Sequence, residues 1–169
     1  MDACYEPNHP SWRCGLGGIL VDSTGQPIQY FSLCLSDEQI SSLGGDGKKT
    51  IIFEAEMIAV ILALKTWQEI IRNSMLVAFI DNNSARDIAI SASGRSDSSM
   101  ALIEVLLRSE EGGAFYPWYA RVPSPSNPGD RPSRGETEWL DALGVDRICV
   151  SDLLSVVIKE VAQIKNSVK

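Results

Sequence analysis

Apolar and polar positions change period several times along the chain, and each change marks an element. Residues 16–22, LGGILVD, and 27–35, PIQYFSLCL, read as two strands joined by a hairpin turn at Ser23-Thr24-Gly25-Gln26. A polar stretch with Gly44, Gly45 and Gly47 breaks the pattern. Residues 52–73 carry the strongest helical signal, with Ile58, Ile61, Leu62, Leu64 and Ile70 on broad apolar faces. MLVAFI, 75–80, reads as a short buried strand that ends at Asp81-Asn82-Asn83, where a helix cap belongs. Residues 84–92 and 97–111 read as two helices around Gly94. Residues 114–122, AFYPWYARV, read as a strand whose Pro117 suits an edge position. After the rigid loop PSPSNPG, 123–129, the rest is helical, in two pieces around Gly144. With a short first strand at residues 2–6, the order is β-β-β-α-β-α-α-β-α. An antiparallel meander followed by alternating α and β elements predicts an α/β fold, a mixed sheet with helices on its faces.

The last apolar pattern is amphipathic. Leu153, Leu154, Val157, Ile158, Val161 and Ile164 recur at three- and four-residue spacing. Such a helix is expected to cover its own domain's core rather than to meet a partner. The expected division is one domain over residues 1–145 and a helical extension, 146–169, packed on it.

Composition narrows the class. The chain has 169 residues, 44% hydrophobic and 22% charged, which fits a globular domain and not a disordered acidic tail. No apolar run suits a membrane span, and no signal peptide is recognisable, so an intracellular protein, cytoplasmic or nuclear, is expected. Cys4, Cys14, Cys34 and Cys149 form no C-x-x-C pair, and His9 is the single histidine, so a zinc site is not expected. The cysteines are expected as reduced, buried thiols, and His9 as a solvated loop residue. The net charge of −7 argues against holding nucleic acid by bulk charge alone. It leaves room for an enzyme that gathers carboxylates around metal ions.

Four acidic residues stand where a layered α/β sheet would gather them. Asp2 is on the first strand, Glu56 near the start of the long helix, Asp81 at the end of MLVAFI, and Asp130 just after the PSPSNPG loop. A buried carboxylate cluster without basic partners repels itself and needs cations. Oxygen-only ligands select Mg²⁺ or Mn²⁺. Simpler roles exist for three of them: Asp2 as a frayed terminus, Asp81 and Asp130 as helix N-caps. Glu54, two positions from Glu56, suits a first-turn carboxylate that favours the helix dipole.

Read together, these motifs resemble a ribonuclease H domain of the type attached to retroelement reverse transcriptases. DAC, 2–4, and GLGGIL, 15–20, resemble that family's first strand with its aspartate and its glycine-rich second strand. EMIAVILAL, 56–64, resembles the E-x-x-A-x-x-x-A-L helix, FIDNNSA, 79–85, the third-carboxylate motif, and SNPGDRPSRG, 126–135, the N-x-x-D-x-x-S-R segment. Each motif alone is weak, whereas four in the right order are fairly specific.

The resemblance implies a five-stranded mixed sheet in order 3-2-1-4-5 and a two-metal endonuclease that cuts the RNA strand of RNA–DNA hybrids. Asp2, Glu56, Asp81 and Asp130 would be catalytic and would hold two Mg²⁺, with Mn²⁺ able to substitute. Asn82, Asn83, Arg131 and Arg134 would contact substrate, the arginines through phosphates. The family's basic hybrid-gripping insertion and the histidine before the fourth carboxylate have no counterpart here. A reverse transcriptase domain, in cis or in trans, is the expected source of grip. The alternative from another class is a catalytically silent module of the same fold, a scaffold or binding surface.

Overall fold

The structure is a computed structural model that describes residues 1–43 and 50–167. The break at Gly44, Gly45 and Gly47 lies outside the described residues. In chain order the elements are β1 (Asp2–Tyr5), β2 (Cys14–Val21), β3 (Pro27–Cys34), α1 (Asp37–Leu43), α2 (Ile52–Thr66), α3 (Gln68–Ile71), β4 (Met75–Ile80), α4 (Asn83–Ser91), α5 (Asp97–Gly113), β5 (Tyr116–Arg121), α6 (Asp130–Ser133), α7 (Glu138–Ala142), β6 (Asp146–Arg147) and α8 (Ser151–Ser167).

The protein is α/β, with a mixed four-stranded sheet in order β1-β2-β3-β6 and a parallel pair β4-β5. The β2–β3 hairpin turns where expected. Asp22 Oδ1 accepts from the Thr24 and Gln26 backbone N–H groups, and Gly25 takes a positive φ of 85° that suits its missing Cβ. The strands of the expected five-stranded order are present as two groups, 3-2-1 and 4-5. Among the described residues no ladder joins β1 to β4. Among the described residues β5 pairs only with β4, which leaves Pro117 on an edge strand.

α2 is buried on all sides from Glu54 to Leu64. It lies between the sheet and a second layer of helices, because it packs on β1 and β2 and also on α5 and α8. α8 turns Leu154, Val157, Ile158, Val161 and Ile164 into the core, with Leu153 partly buried.

Several sequence expectations change. The predicted 52–73 helix breaks at Trp67, and α3 is a separate turn. α1 was not expected. Its signal is the short S-x-x-Q capping box, in which Ser36 Oγ accepts from the Gln39 N–H and Gln39 Oε1 from the Ser36 N–H. β4 is not buried on both faces. Ala78 and Ile80 face the core, whereas Met75, Val77 and Phe79 are exposed. Tyr116 and Trp118 on β5 pair opposite Met75 and Val77 and share that uncovered face. The cysteines are all free, but only Cys4 and Cys14 are buried; Cys34 is intermediate and Cys149, in the turn before α8, is exposed. His9 is exposed, and its Nδ1 accepts from the Trp12 N–H at 2.8 Å, which closes the β1–β2 loop. No helix among the described residues is long and apolar enough to cross a membrane.

Candidate metal centre

Three of the four sequence-predicted carboxylates come together. One oxygen each from Asp2, Glu56 and Asp81 lies within 4.8 Å of the others. β1 supplies Asp2 at its first residue, α2 supplies Glu56 one turn in, and the carboxyl end of β4 supplies Asp81. Asp81 is free for this role because Asn82 caps α4 instead, accepting from the Ala85 N–H at 3.1 Å. Glu54 sits in the first turn of α2, as expected, and is buried next to Ser98 Oγ at 3.3 Å.

The site is short of compensating charge. Glu56 Oε2 and Asp81 Oδ1 are buried and have no hydrogen-bond partner. Burial, and then the nearby charges of Asp2 and Asp81, push the Glu56 carboxyl up to about 9. The α-amino group of Met1 and the Ala3 backbone N–H pull the other way without cancelling that shift. Burial pushes Asp2 up to about 7, with Asp81 and Asp130 adding to it and the Ser133 hydroxyl opposing it. Buried carboxylates with orphaned oxygens and no basic side chain among them form an all-oxygen donor set able to hold a hard divalent cation.

Asp2 is the most firmly held of the three. Asn127 Nδ2 donates to its Oδ1 at 3.0 Å, and Ser133 Oγ lies 2.8 Å from its Oδ2. Both partners lie in the segment that the sequence singled out for Asp130, yet neither was expected in this role. The residues were present in the motif, but nothing in one sequence says that a loop 125 residues away reaches Asp2. α6 is drawn onto the sheet by further contacts from β1 and the β1–β2 loop. Cys4 Sγ donates to the Ser133 carbonyl at 3.0 Å and Trp12 Nε1 to the same oxygen at 2.7 Å. The approach is so close that β2 must carry glycine. A Cβ on Gly17 would lie 2.3 Å from Ser133 N, and one on Gly15 only 1.8 Å from Ser133 O.

Asp130 lies outside the three-carboxylate group among the described residues. It opens α6 and accepts from Arg134 Nε at 3.1 Å. Arg134 also pairs with Glu6 at 2.6 Å, and the exposed Arg131 lies over the Trp139 ring and 3.5 Å from Glu136. Both arginines therefore already have acidic neighbours. Asn83 is exposed at the start of α4, beside Asn82. Of the three aromatics on β5, Tyr119 is buried, whereas Tyr116 and Trp118 are exposed.

No protein-family model, no curated protein and no solved structure matches this chain.

Proposed function

We propose that this chain is a ribonuclease H-type, metal-dependent endonuclease that cuts the RNA strand of an RNA–DNA hybrid beside a reverse transcriptase domain, in cis or in trans. The observation that carries the reading is the pair of buried, partnerless oxygens, Glu56 Oε2 and Asp81 Oδ1, inside a group of three carboxylates. Those carboxylates stand on the elements that the sequence motifs assign them to. The strand groups 3-2-1 and 4-5 meet at Asp2 and Asp81, which is compatible with one sheet in order 3-2-1-4-5.

In this reading Asp2, Glu56 and Asp81 hold Mg²⁺, with Mn²⁺ able to take its place. A bound ion supplies Lewis-acid stabilisation of phosphate charge and a more acidic water. The chain's own residues set the frame for that chemistry. Asn127 and Ser133 fix the two oxygens of Asp2, so its carboxylate does not have to be ordered when substrate arrives. Asp130, whose Oδ1 accepts from Arg134 Nε, would supply the fourth ligand and help hold a second ion. Arg134, which pairs with both Glu6 and Asp130, would contact a phosphate from that position. Asn82, Asn83 and Arg131 would supply further contacts to the nucleic-acid backbone.

The test is cleavage of a labelled RNA–DNA hybrid with Mg²⁺ and with Mn²⁺. The wild type should cut the RNA strand, and Asp81→Asn should not. Activity that survives in Asp81→Asn overturns the metal-site assignment. The pairing of Asp130 with Arg134, outside the three-carboxylate group, favours a second reading, a silent scaffold of the same fold. In that case the wild type leaves the hybrid intact with either metal.

A further inference from the structure

Ser133 is the last residue of the one-turn helix α6, and its carbonyl accepts no backbone N–H among the described residues. Two side chains fill that place. Trp12 Nε1 donates at 2.7 Å and Cys4 Sγ at 3.0 Å, and a carbonyl oxygen has two lone pairs to receive them. The hydroxyl of the same residue lies 2.8 Å from Asp2 Oδ2. Ser133 is therefore held through its carbonyl while its hydroxyl holds Asp2.

The indole fits a space that two glycines leave open. Strand alternation puts Asp2 and Cys4 of β1, and opposite them Gly17 and Gly15 of β2, on the face of the sheet that α6 covers. A Cβ on Gly15 would lie 2.1 Å from Trp12 Nε1 and 1.8 Å from Ser133 O, so the bond forms where a side chain is missing. Gly135, two residues past Ser133, has a φ of 81°, and a Cβ there would sit 3.2 Å from the Trp12 ring.

Trp12 is placed in turn by its own loop. His9 Nδ1 accepts from the Trp12 and Ser11 N–H groups, at 2.8 and 3.3 Å, and the His9 N–H donates to the Glu6 carbonyl at 2.9 Å. Core packing does not duplicate these bonds. Trp12 is only half-buried, and with Glu6, His9 and Arg134 it lines a pocket of ≈ 770 Å³, part of it open to solvent.

We propose that Trp12 is a positioning residue of the candidate metal centre: by holding the Ser133 carbonyl it sets where the Ser133 hydroxyl meets Asp2, and so how the Asp2 carboxylate is presented to a cation. His9 anchors the outer end of this connection. Cys4 shares the carbonyl, but an S–H group is the weaker donor. The consequence for cation binding rests on the metal-centre reading, whereas the hold on Asp2 does not. Such a coupling is reciprocal, so a cation that orders Asp2 also tightens the Trp12 bond.

The test uses the full chain, first metal-free and then with Mn²⁺ alone. Trp12→Phe keeps a ring against the two glycines and removes the donor. In the metal-free chain the carboxyl-carbon NMR signal of Asp2 should move in Trp12→Phe in the same direction as in Ser133→Ala. In the Ser133→Ala background Trp12→Phe should move it no further, because the connecting hydroxyl is gone. A general packing effect would persist there. His9→Ala, at an exposed residue that spares the core, should give part of the same displacement. His9→Asn should restore the wild-type signal, since its Oδ1 can accept the same N–H groups. By calorimetry, Trp12→Phe should raise the Kd for Mn²⁺ about tenfold, the low end for residues that stand behind a metal ligand. The proposal is overturned if the Asp2 signal stays in place in Trp12→Phe, if the two substitutions simply add, or if the wild type binds Mn²⁺ and Trp12→Phe binds it equally well. A wild type that binds no Mn²⁺, with the Asp2 signal displaced as expected, refutes the metal-centre reading and upholds the hold of Trp12 on Asp2.

Discussion

The Ser133 hydroxyl lies 2.8 Å from Asp2 Oδ2, a contact between residues 131 apart in sequence. The same Oγ lies 2.8 Å from the Asp130 carbonyl oxygen. A hydroxyl has one hydrogen, so it donates to one of these acceptors at a time. A charged Asp2 takes that hydrogen. A protonated Asp2 can instead donate to Ser133 and leave the hydroxyl for Asp130. Ser133 therefore ties the protonation state of the candidate metal centre to the first turn of α6.

Removing that hydroxyl should loosen Asp2. Ser133→Ala leaves Asp2 Oδ2 without this buried partner, which should cost about 1–3 kcal/mol of stability. The Asp2 carboxyl should titrate higher, because the Ser133 bond opposes its upward shift. Chemical denaturation and carboxyl titration by NMR read the two effects. Unchanged values in both would mean that Asn127 alone holds Asp2.

Divalent metal should stabilise the chain through the three carboxylates. At a hundredfold excess over Kd, binding to the folded state alone adds about 2.7 kcal/mol, or roughly 5–11 °C in Tm. Glu56→Gln and Asp81→Asn should each remove most of that shift. Thermal melts with and without Mg²⁺ or Mn²⁺ measure it, and equal shifts in wild type and both variants would refute the site.

The metal-free chain should lose stability as pH rises. The folded chain holds protons on Asp2 up to about 7 and on Glu56 up to about 9, whereas both are released near pH 4 when unfolded. Across that window the folded state binds more protons than the unfolded state, so the free energy of unfolding falls with increasing pH. Mg²⁺ needs the charged forms, so its stabilising effect should grow in the same direction. Melts from pH 5 to 9 should show both slopes, and Glu56→Gln should flatten the first.

Gly17→Ala tests the close approach of α6 to β2. Its Cβ would meet backbone at 2.3 Å from Ser133 N and 2.8 Å from Gly129 O, where no flexible side chain can move aside. Pushing α6 off the sheet should cost about 1–3 kcal/mol and weaken metal binding, because Ser133 moves with it. Gly112→Ala is the control, since nothing lies within 4 Å of a Cβ there. Equal stability of the two variants would mean that α6 yields easily.

Much of the local structure was legible because it rests on local rules. The β2–β3 turn is fixed by Asp22 and Gly25, β4 by its apolar run, and α8 by its three- and four-residue spacing. Asp2, Glu56 and Asp81 were legible as a set because each stands at a strand or helix terminus where such sheets gather carboxylates. The sequence by itself determined most of the strands and helices, though not α1, the break at Trp67 or β6. Only the tertiary structure decided that Asn127 and Ser133 grip Asp2, that Asp130 turns to Arg134, and that Trp12 reaches the Ser133 carbonyl. Periodicity reports which face of an element is apolar, whereas partners and orphaned atoms depend on the positions of segments far apart in the chain.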